Sequence, residues 1–396
     1  MFTAWSAVLP MVSVEWGLTA SQAGAVQSAY HVGFLVSLFA VGFLSDRVGA
    51  RRTYLWGSVL AVISALLFAL LADSFASAAF WYGITGLCSG ASYTPGLAIV
   101  AQEPHGVGRG RALGLYLAAA SLGYAIGLAL AALFLPLAGW RGAFLACAAG
   151  PLIGAVVGWR ALRQVPNVIH PAPKDRQRFA LLDVVRNRPA MLSIWGYTWH
   201  AWELLGLWAW LPAFLGVALW AQGNGTEGAS VGIGAALTSL TYLAAMFGSV
   251  IGGSLSDRYG RTTIALTVSI ISLLCSLSFG WMLGLPMMLI VAVAIIYNLT
   301  GVADSSIHST TLTELTPAHL LGTAYSLRSV LGFGAGAIAP WVFGMVLDQV
   351  RVSGGGEHWA WGLAWASLAV GGLLGPLATW RLRQSVDALR LTGGQR

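Results

Sequence analysis

Charged side chains are scarce in this chain. Only 9% of its 396 residues are Asp, Glu, Lys or Arg, while 57% are apolar. Soluble domains carry about a quarter charged residues, so most of this chain does not face water. A disordered chain is excluded as well, because 18 Trp, 15 Phe and 11 Tyr are the opposite of a low-hydrophobicity composition. The sequence therefore predicts a protein whose main solvent is lipid.

Cysteine is scarce too, and its placement excludes two kinds of site. Cys88, Cys147 and Cys275 each lie inside an apolar stretch, and an odd number without metal-type spacing supports neither a disulfide framework nor a zinc site. The sequence also lacks a Ser/His/Asp set and a phosphate loop, so we expect no enzyme activity, cofactor or metal. The formal charge of +7 does not indicate nucleic-acid binding, because the basic residues lie in short gaps between apolar runs.

Twelve apolar stretches are present instead. Most reach the roughly 20 residues that a helix needs to cross a bilayer, and long runs without strict alternation favour helices over a β-barrel. The stretches cover residues 1–14, 22–44, 53–71, 75–101, 112–135, 142–157, 190–220, 231–255, 263–283, 286–313, 320–347 and 359–380. They predict an all-α integral membrane protein with twelve transmembrane helices. The first stretch would rise only about 21 Å, so we expect a short first helix and a natural start upstream of it.

Basic residues indicate how the helices are oriented. Of the 21 Lys and Arg residues, 18 fall in the even-numbered gaps and the C-terminal tail, which share one side of the membrane. Arg141 and Arg351 fall in the other gaps, and Arg328 lies within the eleventh stretch. Because basic residues in short loops are retained in the cytoplasm, we expect both termini inside and a location in the cytoplasmic (inner) membrane of a bacterium.

One motif occurs twice, at the same place in each half of the chain. The gap after the second stretch reads GFLSDRVGARR over residues 42–52, and the gap after the eighth reads GSLSDRYGR over residues 253–261. The two aspartates are 211 residues apart, close to half the chain. Many transporter folds are built from such repeats. The expected parts are a six-helix bundle at 1–160, a cytoplasmic loop at 161–189, a second bundle at 190–382 and a tail at 383–396.

These features resemble the major facilitator superfamily of secondary transporters, whose loop between helices 2 and 3 carries the pattern G-x-L-[SA]-D-R-x-G-R-R. Arg-Gly-Arg at 109–111 and Gly-Trp-Arg at 139–141 are further similarities. The resemblance implies two pseudo-symmetric bundles that expose a midplane cavity alternately to either side. Charge-assisted bonds from the motifs to neighbouring helices would hold the cytoplasmic side closed. The implied gating residues are Gly42, Asp46, Arg47, Gly49, Arg51, Gly253, Asp257, Arg258, Gly260 and Arg261.

The chain also departs from subclasses of that family. Tyr82 stands where drug exporters usually carry an arginine four residues before a glycine, and residues 123–127 lack the proline of the antiporter pattern G-P-x-x-G-G. Nitrate-type relatives carry arginines inside helices 2 and 8, and neither stretch has one. These differences slightly favour uptake over efflux. Proton-driven efflux, a passive channel and a transporter-like sensor stay open as alternatives.

Ionisable side chains at membrane depth are costly, so each is a functional candidate. Glu203 lies near the middle of the seventh stretch, and His200 lies three positions earlier on about the same helix face. Asp304 and His308, four apart in the tenth stretch, share a face nearer its cytoplasmic end. A carboxyl group and an imidazole held out of water can take up and release protons, so we predict that these four residues couple transport to protons.

Arg328 is the one cation inside a predicted span. An arginine in a midplane cavity favours an anionic substrate, because its guanidinium can bind a carboxylate through two hydrogen bonds. Its position near the inner surface also fits a side chain that reaches toward water. We predict that Arg328 binds substrate. The other candidate substrate contacts are Asn298, Tyr297, Trp199, Trp202, Tyr30, His31, Tyr93, Tyr124 and Tyr242.

Together these residues predict a proton-coupled secondary transporter of a small organic solute, and of an anionic one if Arg328 contacts it. The expected partners are the small-molecule substrate, protons and the lipid bilayer. We expect the protein to be a monomer.

Overall fold

The computed structural model describes residues 1–101, 109–167, 169, 180–223 and 227–394. Of the residues named above, the side chains of Asp46 and of residues 109–111 lie outside this description. Helices are the only regular secondary structure within the described residues.

Twelve longer α-helical segments and one short α-helix form the described chain, together with three 3-10 helices at Gly280–Met282, Ala318–Leu320 and Val386–Gly394. α5 is interrupted at Ala138 and Gly139, where φ at Gly139 is 63°, and the interruption divides it into two segments. The short helix is α6, with 7 residues. The helices are α1 Ala4–Trp16, α2 Ala20–Val48, α3 Ala50–Leu71, α4 Phe75–Ala101, α5 Arg109–Leu162, α6 Ala180–Arg186, α7 Arg188–Ala221, α8 Glu227–Tyr259, α9 Arg261–Phe279, α10 Met287–Leu315, α11 Leu321–Val352 and α12 Glu357–Gln384. The twelve-helix architecture predicted from the apolar stretches is thus confirmed.

Many of these helices are long and apolar enough to cross a membrane. Among the described residues, 9 helical stretches meet that condition by length and composition, including most of α5 and all of α7. α1 is shorter, with 13 residues and a rise of about 20 Å, as the first apolar stretch predicts.

α1 lies in the core in spite of its length. Trp5 is fully buried, and its indole N–H donates to the carbonyl oxygen of Ala23 in α2 at 2.9 Å. The Trp5 ring also contacts Phe68 of α3 and Tyr82 of α4. These contacts fix α1 among α2, α3 and α4.

The helices group into two bundles. α4 packs between α2 and α3 in the first, and in the second α7 contacts α8, α10, α11 and α12. The close approach of α2 and α4 requires small residues, since a Cβ at Gly86 would collide with the Tyr30 carbonyl group. α6, which falls inside the predicted loop 161–189, covers one end of the second bundle, where Val184 is buried against Leu312.

The two ends of the molecule differ in their contacts. The turns at Gly49, between α2 and α3, and at Gly260, between α8 and α9, lie at one end, which we call the motif end. At the opposite end, Asp348 of α11 accepts hydrogen bonds from the backbone N–H groups of Ala20 and Ser21, at 2.8 and 2.7 Å. Because α2 starts at Ala20, this carboxylate joins the two bundles across their interface.

Other contacts between the bundles lie away from the motif end. Ser239 in the first half of α8 donates to the carbonyl oxygen of Ala125 in α5 at 2.9 Å. Nearer the middle of the molecule, the ring centre of Phe34 in α2 is 5.5 Å from that of Phe333 in α11. The bundles therefore meet at the opposite end, and a space remains between them toward the motif end.

Candidate functional site

A cavity of about 470 Å³ lies between the two bundles, and we call it the central cavity. Several of its lining residues lie in the motif-end halves of their helices: Tyr93 in α4, Val250 in α8 and Ser309 in α10. Val250 remains 68% exposed although it lines the cavity. Because the Asp348 contact closes the opposite end, the cavity opens on the side of the motif end.

The lining of the central cavity is mostly aromatic and aliphatic, with a small set of polar groups. Its aromatic residues come from both bundles and are Phe2, Phe34, Tyr93, Tyr124, Tyr197, Trp208 and Phe333. Besides the tyrosine hydroxyls, its polar side chains belong to Ser121, His200, Ser249, Ser305, Ser306, Ser309 and Arg328. Apolar walls with a few convergent polar groups are typical of a small-molecule site.

Arg328 is held at the cavity wall by three neighbours. Its Nη1 donates to Ser309 Oγ of α10 at 2.6 Å, and its Cζ lies 4.1 Å from the ring centre of Tyr197 and 4.8 Å from that of Tyr325. Among the described residues, no carboxylate forms an ion pair with it. Its Nε is buried without a hydrogen-bond partner. A cation stacked on two tyrosines and lacking a protein counter-ion is suited to bind an anion.

Behind the cavity wall, one carboxylate lies between two histidines. His200 lines the cavity, its Nε2 is 2.7 Å from Ser305 Oγ, and its Nδ1 is 3.6 Å from Asp304 Oδ2. His308 Nε2 is 3.3 Å from Asp304 Oδ1, and Ser269 of α9 donates to Oδ2 at 2.9 Å. We call His200, Asp304 and His308 the histidine cluster. It connects the cavity to a buried carboxyl group.

Glu203 belongs to a second buried cluster. Its Oε1 accepts hydrogen bonds from Ser272, at 2.9 Å, and from Ser276, both on α9. Ser276 Oγ is also 2.6 Å from the hydroxyl oxygen of Tyr297 on α10. The carboxyl group thus faces the interior of the second bundle, among α7, α9 and α10, and it does not line the central cavity.

The predicted site residues divide into three groups by their position. Those that line the central cavity are His200, Arg328, Tyr93 and Tyr124. Those that reach it through His200 are Asp304 and His308. Those that do not line it are Glu203, Asn298, Tyr297, Trp199, Trp202, Tyr30, His31 and Tyr242.

Asn298 hydrogen-bonds to protein on two sides. Its Oδ1 accepts from Trp208 Nε1 at 3.0 Å, and its Nδ2 donates to Thr241 Oγ1 at 3.1 Å. Because Trp208 lines the central cavity, Asn298 holds the ring of a cavity residue in place.

Trp199 and Trp202 face α12. The indole N–H of Trp202 donates to the carbonyl oxygen of Ser367 at 3.4 Å. A Cβ at Gly371 would collide with the Trp199 carbonyl oxygen and with the Trp202 ring. Both tryptophans therefore pack α7 on α12, on a side of α7 that the cavity does not reach.

Tyr30, His31 and Tyr242 are buried inside the bundles. The Nε2 atom of His31 is 3.1 Å from Gln27 Nε2, one turn earlier on α2. The Tyr242 ring lies 5.4 Å from that of Trp208, measured between centres. These residues support the cavity wall from behind.

The two sequence motifs adopt the same turn. Gly49 has φ 95° and ψ 143°, and Gly260 has φ 95° and ψ 140°. In the second motif, the guanidinium of Arg261 is paired with Asp257 and donates to Glu314 Oε1 at 3.0 Å, which ties α9 to α8 and α10.

The first motif is held by the segment that follows α5. Asn167 Nδ2 donates to the carbonyl oxygen of Val48 at 2.8 Å, and Arg51 Nη2 donates to that of Arg163 at 3.2 Å. The side chain of Asp46 lies outside the described part of the chain. The bonds described at both motifs join helices within one bundle, so the predicted gate between bundles stays a prediction.

Sequence inspection missed several cavity residues. Tyr197, Trp208, Phe34 and Phe333 were not singled out, although all four line the central cavity. On α7 a signal was present, because Trp208 lies eight residues after His200 and so follows the same helix stripe. For Phe34 and Phe333 the sequence offered no such signal, since each lies in a uniformly apolar stretch.

Comparison with known proteins gives three findings. The model of the Major Facilitator Superfamily matches residues 1–340. A probable 4-methylmuconolactone transporter of Cupriavidus pinatubonensis is 26% identical over 355 residues, which cover 84% of this chain and 77% of that protein. A gentisate transporter of Corynebacterium glutamicum is 26% identical over 360 residues, which cover 87% and 77%.

A solved structure has the same architecture. The crystal structure of a variant of the nucleoside transporter NupG superposes with a TM-score of 0.73, at 16% identity, and the match covers 96% of each chain. At this identity the likeness shows a shared fold.

Proposed function

This chain belongs to the Major Facilitator Superfamily, and on that premise we propose that it carries a small organic anion into the cell by alternating access, together with protons. Membership in the family makes the protein a multi-pass membrane transporter rather than an enzyme. The observation that carries the finer proposal is Arg328, a cation at the wall of the central cavity.

An anionic substrate would neutralise the positive charge at that wall. A cation withdrawn from water is costly unless an opposite charge joins it. Arg328 donates one hydrogen bond to Ser309 and stacks on Tyr197, and neither neighbour is an anion. A substrate carboxylate in the cavity would supply the missing counter-charge through charge-assisted hydrogen bonds.

The substrates of two relatives support the same chemistry. One is a probable transporter of 4-methylmuconolactone and the other a transporter of gentisate, which are small organic acids.

The histidine cluster supports proton coupling. Ser305, which contacts His200, and Ser309, which contacts Arg328, are four residues apart on α10, and Ser309 Oγ donates to the Ser305 carbonyl oxygen at 2.7 Å. The anion contact and the protonatable cluster are therefore one helical turn apart. A proton on the cluster would offset the charge of a bound anion, so the two would move together and the proton gradient would drive uptake.

Basic residues support the motif end as the cytoplasmic end. The two loop arginines predicted for the outside are both paired with acids: Arg141 Nη1 is 3.7 Å from Glu15 Oε1, and Arg351 Nε is 2.7 Å from Glu357 Oε1. The unbalanced basic loops all belong to the motif end. In this orientation the structure is open to the cytoplasm, and the motifs would act at the cytoplasmic gate.

The first test is binding to purified protein and to variants of Arg328. Gentisate, benzoate and glucuronate are screened with their uncharged amides by thermal shift, and dissociation constants are measured for the best anion. We expect Arg328→Gln to weaken it about ten- to a hundredfold, because a hydrogen bond to a charged group contributes about 1.5–3 kcal/mol. The dissociation constant of Arg328→Lys should lie between those of the parent and of Arg328→Gln, since an ammonium lacks the planar fork of a guanidinium.

Arg381→Gln is the matched control, because this arginine is exposed at the end of α12, away from the cavity. It should bind the anion as the parent does. Equal binding of the anion and its amide, or unchanged binding in Arg328→Gln, would contradict an anion site at Arg328.

A further inference from the structure

Three aromatic residues of the cavity lining form a subsite between the bundles. The ring centre of Phe34 in α2 is 5.5 Å from that of Phe333 in α11 and 5.9 Å from that of Tyr93 in α4. We call Phe34, Tyr93 and Phe333 the ring subsite. Phe333 follows Arg328 by five residues on α11, about 7 to 8 Å along the helix. Both residues line the central cavity, so a ligand bound at Arg328 shares that cavity with the ring subsite.

Three serine hydroxyl groups of the cavity lining are already engaged. Ser249 donates to the Val302 carbonyl oxygen at 3.3 Å, Ser306 to that of Ser249 at 3.1 Å, and Ser309 to that of Ser305 at 2.7 Å. Their hydrogens are therefore not available to a ligand. A sugar acid would leave several of its own hydroxyls without partners against aromatic walls, which is costly.

The charge of the cavity is matched to a single carboxylate. Arg328 is the only Arg or Lys among the described residues that line the cavity, and His200 already lies against Asp304. A second carboxylate on the ligand would find no second arginine or lysine in the described lining.

We propose that the central cavity selects monocarboxylates built on a flat, sparsely hydroxylated ring. The carboxylate binds at Arg328, and the ring packs in the ring subsite. This inference rests on the proposed function, of which it names the substrate class. Because Phe34 and Tyr93 belong to the first bundle and Phe333 to the second, a bound ring contacts both bundles at once. A ligand of this class therefore bridges the two bundles at a point where they already touch.

Four probes separate the contribution of the ring to binding from that of the charge. Dissociation constants are measured on the purified full chain for benzoate, cyclohexanecarboxylate, glucuronate and benzamide. Benzoate should bind most tightly, and cyclohexanecarboxylate about three- to tenfold more weakly, because it has the size and charge of benzoate without a flat face. Glucuronate and benzamide should each bind at least about tenfold more weakly than benzoate, the first for its hydroxyls and the second for its missing charge.

A pair of variants locates the ring subsite. Phe333→Leu keeps an apolar side chain and should weaken benzoate about five- to tenfold, and remove most of its advantage over cyclohexanecarboxylate. Phe39→Leu is the matched control, since Phe39 is on α2 but is 48% exposed and does not line the cavity. It should leave all four constants unchanged.

The outcomes distinguish this inference from the proposed function. If glucuronate binds as tightly as benzoate, or Phe333→Leu leaves benzoate binding unchanged, the ring inference is wrong and the anion transporter stands. If benzamide binds as tightly as benzoate, or none of the three carboxylates binds, the proposed anion site is wrong as well.

Discussion

At the scale of single residues, the second bundle holds two acids in different surroundings. Asp304 lies between His308 and His200, and His200 touches the cavity, whereas Glu203 accepts hydrogen bonds from serines of α9. Ser269, bonded to Asp304, and Ser272, bonded to Glu203, are three residues apart on α9. The two acids therefore lie beside the same face of α9, about one turn apart. Both are candidates for the proposed proton coupling, and Asp304 has the shorter link to the cavity.

Neutral amides at these positions should uncouple transport from protons. Asp304→Asn and Glu203→Gln keep the size of each side chain and its acceptor oxygen but cannot bind and release a proton. We expect uphill uptake driven by a pH difference to fall at least about tenfold in each, with anion exchange retained. Flux in proteoliposomes with and without an imposed pH difference measures both.

Asp183→Asn serves as the control, because Asp183 is exposed on α6. Uphill uptake that survives in both amide variants would contradict proton coupling through these acids.

At the scale of elements, the chain makes the same turn twice. Gly49 and Gly260 both have φ of 95°, in the region that residues with a Cβ rarely adopt, and each begins the helix that follows. The contacts around the turns differ, with Asn167 bonded at the first and Arg261 bonded to Glu314 at the second. The repeated conformation follows from the repeated Asp-Arg-x-Gly, and the supporting contacts follow from what each bundle places nearby.

Alanine at the second turn should destabilise the protein. In Gly260→Ala the backbone must keep a positive φ against its new Cβ or shift, at a cost of about 1–2 kcal/mol. Gly154→Ala is the matched control, because a Cβ there meets nothing within 4 Å in the helix α5, where alanine is favoured over glycine. Thermal unfolding in detergent should show a lower midpoint for Gly260→Ala alone, and equal midpoints would refute strain at this turn.

At the scale of the whole molecule, the opposite end is closed by a contact between bundles. The Asp348 carboxylate takes both of its hydrogen bonds from the first N–H groups of α2, where the helix dipole favours an anion. For the cavity to open on that side, the carboxylate must leave α2. The contact therefore stabilises the state that is open at the motif end.

Removal of this carboxylate should shift the population of the two states. In Asp348→Ala two charge-assisted hydrogen bonds are lost, each contributing about 1.5–3 kcal/mol, so the ratio of states should change at least about tenfold toward opening at the opposite end. Spin labels at Val14 and Val352, which are 69% and 84% exposed, report the distance between bundles there. A population of longer distances should grow.

Asp73→Ala is the matched control. Asp73 also accepts a hydrogen bond at the start of a helix at this end, from Ser77 at 2.9 Å, but within one bundle. Its distance distribution should match that of the parent. The same distribution in Asp348→Ala would show that the carboxylate does not hold the bundles together.

Linear features of the sequence were enough to predict the architecture. The spans, the short first helix and the repeated turn at Gly49 and Gly260 follow from properties that residues carry along the chain: length of apolar run, and the need for glycine at a positive φ. Arg328 could be identified as a candidate for the same reason, because a single cation in an apolar stretch is conspicuous whatever surrounds it.

The composition of the cavity wall was decided only by the tertiary structure. Glu203 and Asn298 were as conspicuous in the sequence as Arg328, yet they bond inside the second bundle, while Tyr197 and Phe333 reach the wall. A helix that packs against protein on one side and lipid on the other is apolar all round, so its periodicity does not reveal which face turns inward. That face is set by how neighbouring helices pack, and packing exists only once the chain has folded.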